Sequence, residues 1–482
     1  MSREVDIFIR NFLNEIRENN AAVFVGAGLS ASAGYVNWKE LLRPLAEELD
    51  IDIDSEHDLV SIAQFHCNDN GRHRINQQLL TEIASSRDPS ENHKILARLP
   101  ISTYWTTNYD KLIEKSLEDF GKVVDIKYTN KHLATTKPKR DAIIYKMHGD
   151  IEHPDLAVLT KDDYERYSVD RGPYINALSG DLVSKTFLFV GFSFTDPNLD
   201  YIMSRVRIYF EEHQRQHYCI FKKCKREDYI TDQEFHQASI KQNLVINDLK
   251  RFQIKTLLVE EYAEITRILY RIESSYRKKS IFLSGSAHEY GDWEREDVER
   301  FMCKLGETII QKGYRISSGL GLGIGNAFIT GAITAVYDKP NAQIGDSLLM
   351  RPFPQFIEDP EQRKKVWTKY RNEIIGTAGI ALFFMGNKLV GEKTHLADGI
   401  KEEFEIAHNL GLSVIPIGSS GYMAKEIWDA VIENISKYYP NHSEELLDSI
   451  KDLGTSVDKP EQLISKIIKT IELVSKTDIR RS

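Results

Sequence analysis

The chain has 482 residues with 63 Lys plus Arg against 72 Asp plus Glu, a formal net charge of −9. That length exceeds one ordinary domain and predicts two, each large enough to bury a core without disulfides or metals. The acidic balance leaves no global basic field for nucleic acid, and the four cysteines, Cys67, Cys219, Cys224 and Cys303, show no paired Cys-x-x-Cys spacing, which suits a reducing cytoplasm.

The first stretch, MSREVDIFIRNFLNEIRENN, alternates charged and apolar residues at helical spacing and predicts an amphipathic helix, not a secretion signal. Residues 21–34, AAVFVGAGLSASAG, join a short apolar strand to a glycine turn. Gly26 and Gly28 let backbone approach a ligand closely, and Ser30 and Ser32 are placed to cap the following helix, whose N-terminus would attract phosphate. Residues 38–49 and 58–85 carry apolar positions at three- and four-residue intervals and predict an inserted helical layer.

Strand character returns at 99–106 and ends in Thr106-Thr107-Asn108-Tyr109-Asp110. A second apolar strand ends in Lys146-Met147-His148-Gly149-Asp150, and a third, 185–193, runs into a glycine turn at Gly191 and Ser193. In a doubly wound sheet such polar strand ends lie on the edge where ligands bind. Taken singly, Asn108 suits a helix cap and His148 a structural histidine; together with the glycine turn they read as a nucleotide site. Asp196 before Pro197 reads as a helix N-cap, while Gly191 and Ser193 occupy the strand-end turn itself and are the better nucleotide contacts. Further strands are expected at 244–246 and 254–259 and a closing helix at 262–276.

The polar run SSYRKKS at 274–280 marks a domain boundary, after which the strand, loop, helix pattern repeats. Ile281, Phe282 and Leu283 lead into Ser284-Gly285-Ser286, and a strand at 314–318 leads into Gly319, Gly321, Gly323 and Gly325. These glycines suit a phosphate-binding turn and equally a mobile hinge. Residues 316–337 carry no formal charge, but their glycines, Ser, Thr and Asn fit a loop and helix start better than a membrane span. A helix at 361–375 bears Arg363, Lys364, Lys365, Lys369 and Arg371, either a solvated face or an anion-capturing one. A core strand at 378–385 delivers Gly386-Asn387-Lys388, a helix at 399–410 presents Glu402, Glu403 and Glu405, and 413–418 is the last core strand.

GAGLSASAG, TTNYD and KMHGD resemble the sirtuin fold family in identity and order, and GFSFTDPNL looks like the fourth strand-end segment of its bacterial sirtuin-like branch. The resemblance spans residues 1–275. It implies that Ala27, Gly28 and Ser30 lie against the phosphates of NAD+, Asn108 and Asp110 near the nicotinamide ribose, and His148 at the reacting carbon. The paired-cysteine zinc module of deacylating sirtuins is missing from the sequence, and Tyr35-Val36-Asn37-Trp38 stands where they carry Pro-x-Phe-Arg. That weakens protein deacylation, which remains the nearest alternative, and favours hydrolysis of NAD+ to ADP-ribose and nicotinamide without a metal.

Residues 280–482 resemble the SLOG family of Rossmann-type nucleotide sensors through SGSA, SSGLGLGIGNA and GNK. The expected fold class is therefore α/β with two Rossmann-like domains, a sirtuin-like one with a helical insertion and a SLOG one. The combination resembles the NAD-hydrolysing effectors of Thoeris anti-phage defence, cytoplasmic homo-oligomers, tetrameric or larger on activation, that answer a cyclic ADP-ribose isomer made by a partner TIR-domain protein. That resemblance implies an effector site in which Ser284, Gly285 and Gly323 line the turn, Arg371 pairs with the signal's phosphates, Lys388 adds charge and Glu403 accepts from ribose hydroxyls. It implies no membrane or nucleic-acid partner. A catalytically silent nucleotide-sensing scaffold is the alternative from a different class; release of nicotinamide by the protein would exclude it.

Overall fold

Seven strands, β1 (Ala21–Val25), β2 (Thr103–Thr106), β3 (Val124–Lys127), β4 (Ala142–Lys146), β5 (Thr186–Val190), β6 (His217–Lys222) and β7 (Ile254–Val259), form one sheet in the order β3-β4-β2-β1-β5-β6-β7. Every pairing is parallel. β1 and β5 are buried throughout, as expected when helices cover both faces. The structure is a computed structural model and describes residues 3–56, 58–85, 87–338, 343–352, 354, 357–440 and 442–476. The chain divides into two units, Met1–Glu273 and Ser274–Ser482.

In the first unit the chain leaves β1, fills one side of it with β2, β3 and β4, then crosses to the other side with β5. That reversal falls between β1 and β5, whose carboxyl ends are the usual ligand position in an open parallel sheet. Between β1 and β2 lie the helices Trp38–Glu47, Leu59–Asn70, Arg72–Ile83 and Glu91–Arg98. Leu41, Leu42, Leu45, Ile62, Ile75 and Leu79 from this insertion join a core with Tyr109, Ile151 and Leu159, so the helical layer packs directly behind two of the strand-end segments.

In the second unit, β8 (Ser280–Ser286), β9 (Arg315–Ser318), β10 (Leu348–Met350), β11 (Ile380–Met385) and β14 (Ser413–Pro416) form a parallel sheet in the order β10-β9-β8-β11-β14. The intervening strands β12 (Asn387–Val390) and β13 (Lys393–Leu396) make an antiparallel hairpin beyond the end of β11. The reversal here is at β8. Residues 316–337 divide into β9, the glycine loop and the helix Gly325–Tyr337, and no described helix is long and apolar enough to cross a membrane.

Two local expectations are corrected. Residues 244–246 lie within the helix Asp232–Leu249, whose capping box at Thr231 and Glu234 starts a continuous run that overrides the short apolar triplet. Ser30 and Ser32 do not cap: the helix is Ala27–Ala31, with Gly26 at its N-cap, so Ser30 lies inside it and Ser32 closes it.

Candidate functional site

The glycines of the first turn are explained by the strand on its other side. A Cβ on Gly26 would lie 2.3 Å from the Gly191 carbonyl oxygen, and one on Gly191 would lie 2.2 Å from the Leu29 nitrogen. The Gly28 N–H donates to the Gly191 oxygen at 2.8 Å, so this amide is engaged within the protein. Gly191 adopts φ +65°, which excludes a side chain on conformational grounds as well. The turns after β1 and β5 therefore interlock backbone to backbone, while Ala27 and the exposed Ser193, whose Oγ meets Thr195 Oγ1 at 2.8 Å, stand at the same carboxyl edge.

Three predicted residues are joined by hydrogen bonds. Asn108 Nδ2 donates to Ser30 Oγ at 2.9 Å, and Ser30 Oγ donates to Asp110 Oδ2 at 2.7 Å. All three side chains are buried. Thr106 fixes the geometry from below: its hydroxyl donates to the Val25 oxygen at 2.9 Å and accepts the Asn108 N–H at 2.9 Å. Asp110 Oδ1 accepts the Leu112 N–H at 3.0 Å. A carboxamide and two oxygens thus close the gap between the tips of β1 and β2.

His148 sits on the neighbouring tip. Thr106 of β2 pairs with Lys146 of β4, so Asn108 and His148 each leave the sheet two residues beyond a matched position. The two segments are tied together beneath. The fully buried Lys146 ammonium donates to the Tyr109 oxygen (3.1 Å), the Asp110 oxygen (2.6 Å), Glu114 Oε1 (2.8 Å) and Asp150 Oδ2 (2.5 Å). Burial pushes the Glu114 carboxyl above its usual range despite the opposing pull of Lys146.

The residue the sequence reading passed over is Asp196. It caps the helix Pro197–Phe210 as expected, accepting the Leu199 N–H at 2.8 Å, but its other oxygen lies 3.1 Å from His148 Nε2. The contact is an ion-pair distance set off the line of a straight hydrogen bond, and both side chains are nearly buried, 4 % and 8 % exposed. Burial alone would raise the Asp196 carboxyl; the charge and hydrogen bonding of His148, with the N–H groups of Leu199 and Asn198, bring it below the usual carboxylate range instead. The His148 ring meets Tyr164 edge-on, with centroids 5.4 Å apart. The carboxyl edge of the sheet thus carries two polar groupings, Asn108–Ser30–Asp110 and His148–Asp196. Among the described residues no cluster of three or more His, Cys, Asp or Glu is arranged to hold a metal ion.

In the second unit the glycine loop folds onto the end of β8. A Cβ on Gly321 would lie 1.8 Å from the Gly285 oxygen, and one on Gly323, at φ +83°, 2.0 Å from the Ala287 oxygen. Ser284, Arg371 and Glu403 come together: Ser284 Oγ donates to Glu403 Oε2 at 2.6 Å, and Arg371 Nε to Glu403 Oε1 at 3.3 Å. Arg371 Nη1 donates to Glu402 Oε2 at 2.5 Å, and Thr368 holds the other Glu402 oxygen at 2.7 Å. Burial raises the Glu403 carboxyl, against the pull of Ser284 and Arg371. Lys388 stands on β12, 2.8 Å from Asp398 Oδ2. Asn387 beside it is buried and clamps the loop after β8, accepting the N–H groups of His288 (2.7 Å) and Glu289 (3.0 Å).

Comparison with known proteins gives two family matches. Residues 102–243 match a SIR2-like domain, and residues 264–474 match the Sir2- and TIR-associating SLOG family. Over 478 residues, 98 % of this chain and 99 % of the relative, it is 55 % identical to NAD(+) hydrolase ThsA of Acinetobacter baumannii (strain 532279). It is 50 % identical to NAD(+) hydrolase ThsA of Bacillus cereus (strain MSX-D12), covering 98 % of this chain and 99 % of that one. Defense-associated sirtuin 2 of Bacillus subtilis is 27 % identical over 207 residues, 41 % of this chain and 20 % of the relative.

Proposed function

The chain belongs to the ThsA family of NAD(+) hydrolases, and from that premise we propose that it cleaves the bond between nicotinamide and ribose in NAD+ with water, giving ADP-ribose, nicotinamide and a proton. The observation that carries the reading is the placement of Asn108 and His148 two residues beyond matched ends of adjacent strands, on the carboxyl edge of the sheet whose order reverses at β1. The nicotinamide of NAD+ leaves as a neutral base from a pyridinium, so the bond breaks without a proton donor. What the protein must supply is an aimed water and a place for its proton. His148 accepts that proton, its Nε2 lying 3.1 Å from the Asp196 carboxylate. The Asn108 amide, held by Ser30 and Asp110, orients the water or the ribose hydroxyls.

Residues 1–275 are assigned to catalysis and 280–482 to regulation. The second site then takes the phosphates of a cyclic ADP-ribose isomer on Arg371 and Lys388 and its ribose hydroxyls on Glu403, beside the turn of Ser284, Gly285 and Gly323. The match to the Sir2- and TIR-associating SLOG family supports a TIR-domain source for that signal. The activity serves phage defence by draining cytoplasmic NAD+, in a homo-oligomer.

Purified full-length protein, incubated with NAD+ alone and with each cyclic ADP-ribose isomer, tests both halves by nicotinamide release. Stimulated release from wild type, and its loss in Arg371→Ala, are the expected results. No release under any condition overturns the hydrolase reading; release indifferent to every isomer overturns the regulatory one.

A further inference from the structure

The two cations of the second site are each met by an acid from one helix, Asp398–Asn409. Lys388 Nζ lies 2.8 Å from Asp398 Oδ2, and Arg371 Nη1 lies 2.5 Å from Glu402 Oε2. Positions 398 and 402 are one helical turn apart and share a face. The helix also comes close to the guanidinium through Gly399, where a Cβ would lie 2.7 Å from Arg371 Nη2.

These acids differ from Glu403. The Glu403 side chain is 9 % exposed and is fixed on both oxygens, by Ser284 and by Arg371 Nε. Glu402, whose other oxygen accepts from the Thr368 hydroxyl at 2.7 Å, differs in its exposure, 35 %, and Asp398 is 86 % exposed. A carboxylate with one side in water gives up an ion pair at little cost, whereas a buried one does not.

We propose that Asp398 and Glu402 are specificity-determining residues of this site, resident counter-anions that an incoming diphosphate must displace from Lys388 and Arg371. The inference rests on the reading of this site as the seat of a diphosphate-bearing nucleotide. Glu403 stays in place and holds Arg371, so the guanidinium keeps its position when its outer partner changes. A diphosphate carries enough charge to replace both acids and presents paired oxygens to the Arg fork. A singly charged anion replaces one acid and is repelled by the other. The two acids therefore select for ligands that span both cations.

The test is calorimetric binding to full-length protein at low salt, using inorganic diphosphate, ADP-ribose and each cyclic ADP-ribose isomer as probes. The variant is Asp398→Asn/Glu402→Gln, one exposed and one half-buried change that keep side-chain size. Diphosphate binding about tenfold tighter or more than in wild type is expected, because two like charges leave the site. Adding Arg371→Ala to that background should cancel the gain. Loss of structure cannot produce a gain in affinity, so the result reads the site and not the fold. Binding by the double variant within about threefold of wild type overturns the proposal, as does a gain that survives Arg371→Ala. If wild type binds a cyclic isomer and the double variant shows no gain, displacement fails while the effector reading stands. If the double variant gains diphosphate binding and neither protein binds any cyclic isomer, the effector reading fails while displacement stands.

Discussion

Both units are parallel sheets whose strand order reverses at their first strand, and they furnish the carboxyl edge in opposite ways. In the first, the edge carries a hydrogen-bonded chain, Asn108 to Ser30 and Ser30 to Asp110, and a buried histidine, His148, at ion-pair distance from Asp196. In the second it is a set of ion pairs in which Arg371 and Lys388 each meet a carboxylate. A hydrogen-bonded grouping fixes direction, which suits the hydrolysis proposed for the first unit; exchangeable ion pairs trade partners, which suits the sensing proposed for the second. Shared topology places both sites, and side-chain chemistry separates their work.

The comparison breaks first if His148 is dispensable. His148→Ala should lower kcat for NAD+ hydrolysis by about 10³-fold, and Asn108→Ala by about 10²-fold, with binding of NAD+ retained in calorimetry. Comparable turnover in either folded variant would remove directional chemistry from the first unit.

Both units should fail alike when their interlocked turns are forced apart. Gly191→Ala, at φ +65° with a Cβ directed at the Leu29 nitrogen 2.2 Å away, should cost about 3–5 kcal/mol in denaturant unfolding. Gly321→Ala, with its Cβ 1.8 Å from the Gly285 oxygen, should cost a similar amount in the second unit, about 3–5 kcal/mol. A tolerated alanine at one position and not the other would show that only one unit depends on this packing.

Acid should weaken the first unit selectively. Burial lowers His93 to about 4 and His217 to about 3, the nearby charge of Asp110 opposing the shift at His93 and that of Arg215 adding to it at His217. Both are neutral in the folded chain at pH 5, while their unfolded forms take up protons below about pH 6.5. The unfolded state then binds more protons, so stability falls as pH drops from about 6.5 toward 4, by about 2 kcal/mol for each histidine at pH 5. Glu114, raised by burial, gains a proton in the folded state and opposes part of this loss. In the second unit the raised Glu403 carboxyl works in the stabilising direction as pH falls. Hydrogen exchange at pH 7 and pH 5 should show protection lost first in the strands of residues 1–273.

The smallest expected effect separates the two jobs of Asp196. Asp196→Asn keeps a helix-capping oxygen and removes the charge beside His148, so kcat should fall about tenfold with a smaller loss of thermal stability than Asp196→Ala. Asp196→Ala should add a loss of about 1 kcal/mol from the cap.

The strand ends were legible because each is an apolar run stopped by glycine and polar residues, a local pattern. Asn108, His148 and the turn at Gly26 fall at the carboxyl edge for that reason. Asp196 was read only as a cap because capping is a four-residue signal, whereas its contact with His148 joins β4 and β5, between which β2 and β1 intervene. Gly28 and Gly191 read from sequence as room for a ligand; the structure adds a packing reason, because a Cβ on either would strike the other turn. In the second unit, Arg371 was recognisable as an anion fork, but its partners sit on a helix about thirty residues on, and no local signal pairs them.

The span from His148 to Asp196 has a bearing on synthesis. A polypeptide leaving the ribosome presents its early strands first. With its first 185 residues made, the nascent chain already contains Asn108 and His148 but lacks the carboxylate at 196 and the turn on which the first glycine loop leans. The pairing of His148 with Asp196 is therefore completed only after the chain has grown past residue 196.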